Sequence, residues 1–305
     1  MSNRTFNFGH CVDRPGFADL PAMPESPRAI WASPVGFDVA EPKFDGIWGK
    51  VVISAAGRLE IWTRNGSLVH ERQLGSVPFA EEFGGCVLHG EFLHGSAWGQ
   101  DLGLSGTCWL FDCTELNGHS IEAWPLKSRR AAARNILILA LRDVLTESGV
   151  SMFDMAPQYD IGMAPQLWRD VVLAGGFEGL VFKDSAARFG AGWTRMKRSV
   201  EVDYVCLGFV VDPERGAVSI RGGLTQDDDG VVEVCTVGNL PAARRKEFTA
   251  HPERFVGLVF KARGARVFRS GALRNPKFAG WHGDKQPAAC TLASALQAGC
   301  SGVCR

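Results

Sequence analysis

Residues 41–46 read Glu41-Pro42-Lys43-Phe44-Asp45-Gly46 and follow a short, largely apolar stretch at 34–39. Asp-Gly is a common turn signal, so this pattern predicts a strand that ends near Lys43 and is followed by a turn. A lysine in that place would lie on the wall of a pocket. An amine attacks only without its proton, and a partly desolvated wall favours the uncharged form. Lys43 is therefore a candidate nucleophile, although Lys-x-Asp-Gly alone also occurs by chance.

Five further motifs follow Lys43 in order along the chain. They are Thr63-Arg64-Asn65-Gly66, Leu88-His89-Gly90-Glu91-Phe92, Trp109-Leu110-Phe111-Asp112, Phe177-Glu178-Gly179-Leu180-Val181-Phe182-Lys183 and Trp193-Thr194-Arg195-Met196-Lys197. The ordered set resembles the covalent nucleotidyltransferases, which comprise ATP-dependent DNA ligases, RNA ligases and mRNA capping enzymes. The stretch Leu273-Arg274-Asn275-Pro276-Lys277-Phe278, followed by Asp284-Lys285, is most similar to the DNA ligases. The resemblance spans about Pro34 to Lys285.

This resemblance implies an α+β fold, with an adenylyltransferase (ATP-grasp-like nucleotidyltransferase) domain followed by a small β-barrel OB-fold domain. The expected limits are a lead-in at 1–33, the nucleotidyltransferase domain at 34–204, the OB-fold domain at 205–287 and a C-terminal tail at 288–305. Composition supports two domains, because 305 residues with 46% hydrophobic content can form two cores. From Val205 the pattern changes to short strands and turns, which suits a small Greek-key barrel.

Local patterns predict the helices. The clearest helix is expected over Ser128–Gly149, with Ser128 as its N-cap and an apolar stripe that extends to Leu145. A second helix is expected over Pro165–Leu173. The chain after Lys285 is small and polar, and its pattern indicates no role.

The resemblance assigns a reaction to the motifs. Lys43 would attack the α-phosphorus of ATP, forming a lysyl-AMP phosphoramide and releasing pyrophosphate. Glu91 would face the ribose or a Mg²⁺ ion, and Glu178 would face the metal. The cations expected at the α-phosphate are Lys183, Arg195 and Lys197. Glu178 and Lys183 are five positions apart, and odd spacing within one strand would point them to opposite faces.

The same resemblance assigns nucleotide contacts. Glu41 would contact the adenine amino group, and Trp109 would stack on the base, although plain core packing explains a tryptophan equally well. Arg64 would contact ribose and phosphate, although it also suits the flank of a hairpin turn. The remaining motif residues are Asp45 and Gly46 after the lysine, and His282, Asp284 and Lys285 near the end of the chain.

Three positions depart from the pattern of the DNA ligases. Trp48 stands two residues after Asp-Gly, where those enzymes usually carry an arginine; its phosphate contact is then lost or passes to Lys50. Arg195 replaces the first lysine of Lys-x-Lys, which keeps the charge but changes the geometry of its donors. His282 stands two residues before Asp-Lys, where the family uses an arginine to expel pyrophosphate. Histidine is mostly neutral at pH 7, so this step is expected to be slower or pH-sensitive.

The charge distribution indicates a polyanionic partner. The whole chain has a formal net charge of zero, yet Pro241–Lys285 holds eleven Lys and Arg against three acidic residues, a net charge of +8. A basic region of this kind suits a phosphate backbone, although scattered solvated charges give the same count. Nine cysteines occur without any Cys-x-x-Cys pair, which argues against zinc and for thiols in a reducing compartment.

These observations predict a small ATP-dependent DNA ligase that uses ATP and Mg²⁺ and acts on nicked duplex DNA. The alternatives are an RNA ligase or capping guanylyltransferase, and a non-catalytic protein that binds nicked DNA. No signal peptide or membrane-spanning run is visible, so a monomeric cytoplasmic protein without a membrane partner is expected. Its compactness suggests a phage or viral origin. Strand preference, DNA, RNA or hybrid, does not follow from the sequence.

Overall fold

The computed structural model describes residues 36–74, 85–96, 99–100, 103–226 and 230–300. The predicted lead-in, 1–33, lies outside these residues. The chain divides into two compact units, 1–196 and 197–305. The boundary expected between residues 204 and 205 falls inside one continuous strand, Val200–Asp212, with which the sheet of the second unit begins.

The first unit is built from two sheets. Its strands are β1 (Val39–Lys43), β2 (Ile47–Ile53), β3 (Arg58–Thr63), β4 (Leu68–Gln73), β5 (Cys86–Phe92), β6 (Cys108–Leu116), β7 (His119–Ser120), β8 (Phe153–Met155), β9 (Tyr159–Asp160), β10 (Gly179–Lys183) and β11 (Trp193–Lys197). The larger sheet has the order β4-β3-β2-β5-β6-β7, with β8 parallel to β6. The smaller sheet has the order β11-β10-β1-β9. Together with the helices below, these sheets make the fold α+β, as the sequence predicts.

One face of the larger sheet forms the core of this unit. Val51 on β2, Ile61 on β3 and Leu88 on β5 are fully buried in one apolar cluster. Successive side chains on a strand alternate between faces, so these residues share one side of the sheet. Ile136, from the helix that follows β7, belongs to the same cluster. The opposite face of the sheet is left for polar and aromatic side chains.

The first helix, α1, is shorter than its pattern suggests. It spans Leu126–Ile136 and continues as one π-helical segment, Leu137–Leu141. Its N-cap is Pro125, not Ser128, because proline suits the entry to a helix. The predicted extension to Gly149 is wrong. Leu145 instead pairs with Ser151 in an isolated β-bridge and is 47% exposed.

The second helix is confirmed, with an earlier start. A 3₁₀ turn at Ile161–Met163 leads into α2 (Ala164–Leu167) and then into a π-helical segment, Trp168–Leu173. Asp160 caps this helix, because its side chain accepts a hydrogen bond of 2.8 Å from the Gly162 N–H. In the described ranges, no helix is both long and apolar enough to cross a membrane.

The second unit is a five-stranded antiparallel sheet with helices beside it. Its elements are β12 (Val200–Asp212), β13 (Gly216–Gln226), β14 (Gly230–Val237), α3 (Ala242–Ala250), a 3₁₀ turn (Pro252–Arg254), β15 (Val259–Gly264), β16 (Lys277–Trp281) and a 3₁₀ turn (Pro287–Ala289). The strand order is β14-β13-β12-β15-β16. A parallel bridge joins Gly238 to Lys277, and the Phe278 N–H donates to the Gly238 carbonyl at 3.0 Å. The two edges of the sheet therefore meet, which curves the strands towards a barrel.

The tail after Lys285 contributes to the second core, which the sequence did not indicate. It forms α4 (Leu292–Cys300), and both Cys290 and Ala295 are buried in the apolar cluster of this unit. The Thr225 N–H donates to the Cys290 carbonyl at 2.7 Å, which ties the tail to β13. Small side chains such as Ala295 let α4 approach the sheet closely. Because few large apolar residues are needed for this contact, the sequence of α4 shows only a weak apolar pattern.

Candidate functional site

The Lys-x-Asp-Gly stretch lies where the sequence predicts it, at the end of β1 and in the turn that follows. Lys43 is the last residue of the strand. The Ser96 hydroxyl donates to the Asp45 carbonyl at 2.6 Å and holds the turn. A Cβ atom on Gly46 would lie 2.6 Å from the Phe92 carbonyl oxygen, so only glycine fits this approach of β2 to β5. The turn therefore holds Lys43 on a rigid support.

Two carboxylates lie around Lys43. Its ammonium forms an ion pair with the Glu178 carboxylate, and both side chains are largely buried. Glu91 Oε1 accepts a hydrogen bond of 3.1 Å from the Gly46 N–H. Burial raises the pKa of Glu91 above its ordinary value, although the Lys43 cation and the Gly46 N–H oppose this shift. The candidate nucleophile and both candidate metal ligands therefore lie close together.

The spacing between Glu178 and Lys183 presents no conflict. Glu178 precedes β10, and its N–H donates to the Lys43 carbonyl at 3.1 Å. Strand alternation therefore does not govern its side chain. Lys183 lies in β10 opposite Val39 of β1, and Val39, Glu41 and Lys43 share one face of their strand. Lys183 consequently points to the same side as Lys43 without any bend.

Glu41 is at the centre of a buried polar network. It is only 3% exposed, and its Oε2 lies 2.5 Å from Lys183 Nζ. Its Oε1 accepts hydrogen bonds from Arg130 at 3.2 Å and from Gln158 at 2.7 Å. Arg130 and Gln158 are 89 and 117 residues away along the chain, and no motif identifies them. The carboxylate that was expected to contact adenine is thus also a structural acceptor for three side chains.

Lys183 is enclosed by this network and by two aromatic rings. Its ammonium lies 3.8 Å from the centroid of the Trp193 ring and 5.0 Å from that of Phe111. Burial lowers the pKa of Lys183, and the adjacent Glu41 carboxylate opposes that shift. A cation between a carboxylate and two ring faces is strongly favoured over an isolated buried cation. Lys183 is one of the residues of the cavity described next, although its side chain is only 1% exposed.

A cavity of about 640 Å³ is bounded by both sheets of the first unit. The predicted site residues that line it are Glu41, Lys43, Arg64, Glu91, Lys183 and Arg195. Glu178 touches Lys43 but is not one of the lining residues, and Lys197 is exposed at the end of β11. Residues from five separate motifs therefore meet in one cavity, although nothing in the sequence shows their contacts.

Trp109 does not line this cavity. Its ring stacks on Phe44 with centroids 4.7 Å apart, and its indole N–H donates to Thr107 Oγ1 at 3.2 Å. Phe111 lines the cavity in its place. The pairing of β5 with β6 shifts register between His89 and Gly90, which leaves Phe111 as an extra residue. Strand alternation could not predict the bulge that places Phe111 on the cavity wall, and stacking of Trp109 on the base stays a prediction.

Trp48, the first departure from the family pattern, also lines the cavity. Its ring stacks on His89 with centroids 5.2 Å apart, and His89 stacks in turn on Phe189 at 5.0 Å. His89 Nε2 lies 2.8 Å from Thr114 Oγ1. Burial lowers the pKa of His89 to about 3, and the Lys50 and Arg129 cations add to this shift. The imidazole is therefore neutral at physiological pH, and Lys50 itself does not line the cavity.

The buried His89 is expected to make the fold sensitive to acid. Between pH 6.5 and about 3 the unfolded chain binds a proton at this position and the folded chain does not, so stability falls as the pH falls. Each pH unit within that window costs up to about 1.4 kcal/mol. Urea unfolding at several pH values should show a shallower loss for His89→Gln than for the wild type. Parallel curves for the two proteins would contradict this prediction.

A buried ion pair between Arg129 and Asp112 lies next to the stacked rings of Trp48, His89 and Phe189. Arg129 donates to both oxygens of Asp112, at 2.8 and 2.9 Å, and both side chains are fully buried. Arg129 also donates to the Ala187 carbonyl at 3.1 Å, and it lies 5.7 Å from the centroid of Phe189. It thus ties helix α1 to β6 and to the loop that carries Phe189. Asp112 belongs to the Trp109-Leu110-Phe111-Asp112 motif, whereas no motif in the sequence contains Arg129.

The C-terminal motif lies in the second unit, around an aspartate, Asp203, that belongs to no motif in the sequence. Asp203 Oδ1 is 2.9 Å from His282 Nδ1, and its Oδ2 is 2.7 Å from Lys285 Nζ. His282 Nε2 also lies 3.3 Å from Asp284 Oδ1. Burial opposes ionisation of Asp203, but the hydrogen bonds from Lys285 and His282 outweigh it and lower its pKa. Asp203 therefore holds two of the three predicted motif residues.

In the described part of the chain, no group of three or more His, Cys, Asp or Glu side chains could hold a metal ion. Mg²⁺ does not require such a group. It keeps several waters and is commonly bound by one or two carboxylates together with substrate phosphates. Glu91 and Glu178 both lie near the Lys43 ammonium, and the Glu178 carboxylate adds to the raised pKa of Glu91. This donor set fits Mg²⁺ bound together with a phosphate ligand.

Solved structures with ligase names share this fold. A structure named "Pmar-Lig_Pre." is 17% identical, with a TM-score of 0.60 over 87% of this chain and 68% of its own. The structure described as "DNA binding with a minimal scaffold: Structure-function analysis of Lig E DNA ligases" is 15% identical. Its TM-score is 0.55 over 81% of this chain and 93% of its own. No protein-family model and no curated protein sequence matches the chain. The likeness therefore establishes the fold alone.

Proposed function

We propose that this chain is an ATP-dependent DNA ligase that seals nicks through a lysyl-AMP intermediate. The observation that carries the proposal is the convergence on one cavity of Lys43 with Glu91, Lys183, Arg195 and Arg64. A nucleophilic amine, carboxylates and several cations are what nucleotidyl transfer to a lysine requires. The first unit would be the nucleotidyltransferase domain.

The chemistry assigns one role to each group. Lys43 Nζ attacks the α-phosphorus of ATP and displaces pyrophosphate, and its proton passes to a nearby base. The Glu178 carboxylate, which is in contact with the ammonium, is the nearest acceptor. Lys183, Arg195 and Arg64 stabilise the phosphate charge. Mg²⁺, held by Glu91 and Glu178 with the phosphates, would supply further positive charge. AMP then passes from Lys43 to a 5′-phosphate, and the adjacent 3′-hydroxyl displaces it.

The second unit would be an OB-fold that binds the nicked duplex. Five strands whose edges meet through the Gly238–Lys277 bridge suit this small Greek-key barrel. Its basic stretch would contact phosphates without reading sequence, so binding should weaken with salt. Two of these cations, Lys261 and Arg263, lie 3.7 and 3.4 Å from Glu201 carboxylate oxygens. The net charge of +8 counted for Pro241–Lys285 therefore overstates the positive charge that is available to contact DNA phosphates.

The test is covalent labelling of the protein. The full chain is incubated with Mg²⁺ and α-labelled ATP, or with α-labelled GTP, and is separated on a denaturing gel. Label retained from ATP alone supports the ligase, and label from GTP alone supports a capping enzyme instead. No label from either nucleotide, together with binding to nicked duplex, leaves a non-catalytic nicked-DNA binding protein. Comparison of the sealing rates on nicked DNA and on nicked RNA then determines the strand preference.

The histidine in the C-terminal motif provides a gain-of-function prediction. His282→Arg places a permanent cation at this position, and Asp203 and Asp284 supply carboxylates to orient it. We expect faster self-adenylation, measured as the single-turnover rate of label transfer at pH 7 and above. His282→Gln, which is neutral at every pH, is the matched control and should not accelerate the step. An unchanged rate in His282→Arg would contradict the prediction.

A further inference from the structure

Trp48 occupies a place on the cavity wall where a nucleic-acid contact is chemically plausible. It lies in β2 opposite Glu91 of β5, and both side chains line the cavity with Lys43. The turn between β3 and β4 contributes Arg64 to the same wall. An indole next to a nucleophile and a guanidinium presents an apolar plane within a charged site. Flat aromatic surfaces of this kind stack on nucleobases of any sequence.

The indole is held in position before any ligand arrives. His89 covers part of it with the two ring planes at 26° to each other, and Phe189 covers His89 at 25°. Thr114 fixes the imidazole, and Arg129 fixes the loop that carries Phe189. A ring immobilised in the free protein loses little conformational entropy when a ligand stacks on it. The stack also carries no charge of its own, so it adds contact area without adding attraction for phosphate.

The other three rings on the cavity wall, those of Phe44, Phe111 and Trp193, pack against other side chains. Phe44 stacks on Trp109, with the ring centroids 4.7 Å apart. Phe111 and Trp193 both lie against the Lys183 ammonium, which Glu41 holds. That group forms one aromatic site, and the His89-backed Trp48 on β2 forms a second. A mononucleotide such as ATP offers a single base. The Trp48 ring is therefore a candidate contact for a second nucleotide, and the reaction proposed above brings one to Lys43 as the end of a strand.

We propose that Trp48 is a stacking platform for the base of a nucleotide that flanks the nick. This inference rests on the proposed function and names how the strand end is held. Where the DNA ligases use an arginine at the corresponding position, this chain would replace a charge contact with an aromatic one. Affinity gained through Trp48 would depend on the base and not on the phosphate.

The experiment pairs a protein change with a change in the DNA. Binding of the full chain to a nicked duplex is measured by fluorescence anisotropy in the presence of EDTA, which prevents sealing. Wild type, Trp48→Leu and Trp48→Phe are each compared on three duplexes. One is intact, one lacks the base of the 3′-hydroxyl nucleotide, and one lacks the base of the 5′-phosphate nucleotide. Thermal unfolding establishes that the variants are folded.

Trp48→Leu should weaken binding of the intact duplex about tenfold, the effect of removing one base–aromatic stack. On one of the two abasic duplexes, this difference from the wild type should shrink to about twofold, because the base that the ring contacts is gone. Trp48→Phe should retain most of the affinity on the intact duplex. Equal weakening by Trp48→Leu on all three duplexes, or none on the intact duplex, overturns the inference.

Failure of the proposed function gives a different result. A wild-type chain that neither becomes labelled by ATP nor binds the intact nicked duplex refutes the ligase assignment, and the inference with it. A wild-type chain that seals nicks, while Trp48→Leu shows no coupling to either base, refutes only the role of Trp48. A second readout is the salt dependence. Trp48→Leu should leave the slope of log Kd against log salt unchanged, whereas Arg64→Gln should reduce it.

Discussion

Lys43→Ala is expected to abolish transfer of label from α-labelled ATP to the protein. The amine that would form the phosphoramide bond is gone, and neighbouring groups cannot replace it. The loss should be on the order of a thousandfold or more, the scale found when a covalent nucleophile is removed. The measurement is the single-turnover yield of labelled protein on a denaturing gel. Lys43→Arg should fail equally, because a guanidinium keeps the positive charge but does not lose its proton.

The control for this change is Lys127→Ala. Lys127 is exposed on α1 and does not line the cavity, so its removal should leave labelling at the wild-type level. Thermal unfolding establishes whether Lys43→Ala is folded, because the ion pair with Glu178 that it removes is largely buried. Substantial label on Lys43→Ala would mean that another side chain is the nucleophile, and the proposed mechanism would be wrong.

Arg129→Ala is expected to destabilise the first unit by about 3–5 kcal/mol, the cost of leaving one partner of a buried ion pair alone. Asp112 would keep a charge without its bidentate donor. The carbonyl of Ala187 would also lose a donor. Urea unfolding at pH 7 provides the measurement. Arg58→Ala is the matched control, because its ion pair with Glu71 is exposed and should contribute less than about 1 kcal/mol.

A double variant separates the two causes of that loss. Arg129→Met with Asp112→Leu removes both charges and retains most of the volume, so it should be more stable than Arg129→Ala. If the double variant is as unstable as the single one, the hydrogen bonds to backbone carbonyls outweigh the unpaired carboxylate. If Arg129→Ala costs less than about 1 kcal/mol, the pair does not stabilise the fold. A cost below about 1 kcal/mol would also mean that Arg129 does not hold the loop that carries Phe189 rigidly.

The sequence alone was sufficient for the parts of the site that depend on local chemistry. Asp-Gly after a short strand predicted Lys43 at the end of β1, and the structure confirms this because a turn and a strand end are set by neighbouring residues. The resemblance assigns Glu91, Lys183 and Arg195 to one nucleotide site, and all three line one cavity with Lys43. The short apolar runs that carry Glu91 and Lys183 are visible in the sequence.

The remaining features depend on contacts between distant segments, which local patterns do not encode. A bulge in β6, formed where it pairs with β5, leaves Phe111 as an extra residue on the cavity wall. Glu41 is held by Arg130 and Gln158, which come from other elements of the unit. Burial of α4 depends on a close fit between small side chains and the second core, and not on a strong apolar stripe. The chain therefore specifies its strands, its turns and its reactive residues locally. Pairing and packing between distant segments then determine which aromatic ring faces the cavity and which acid holds each cation.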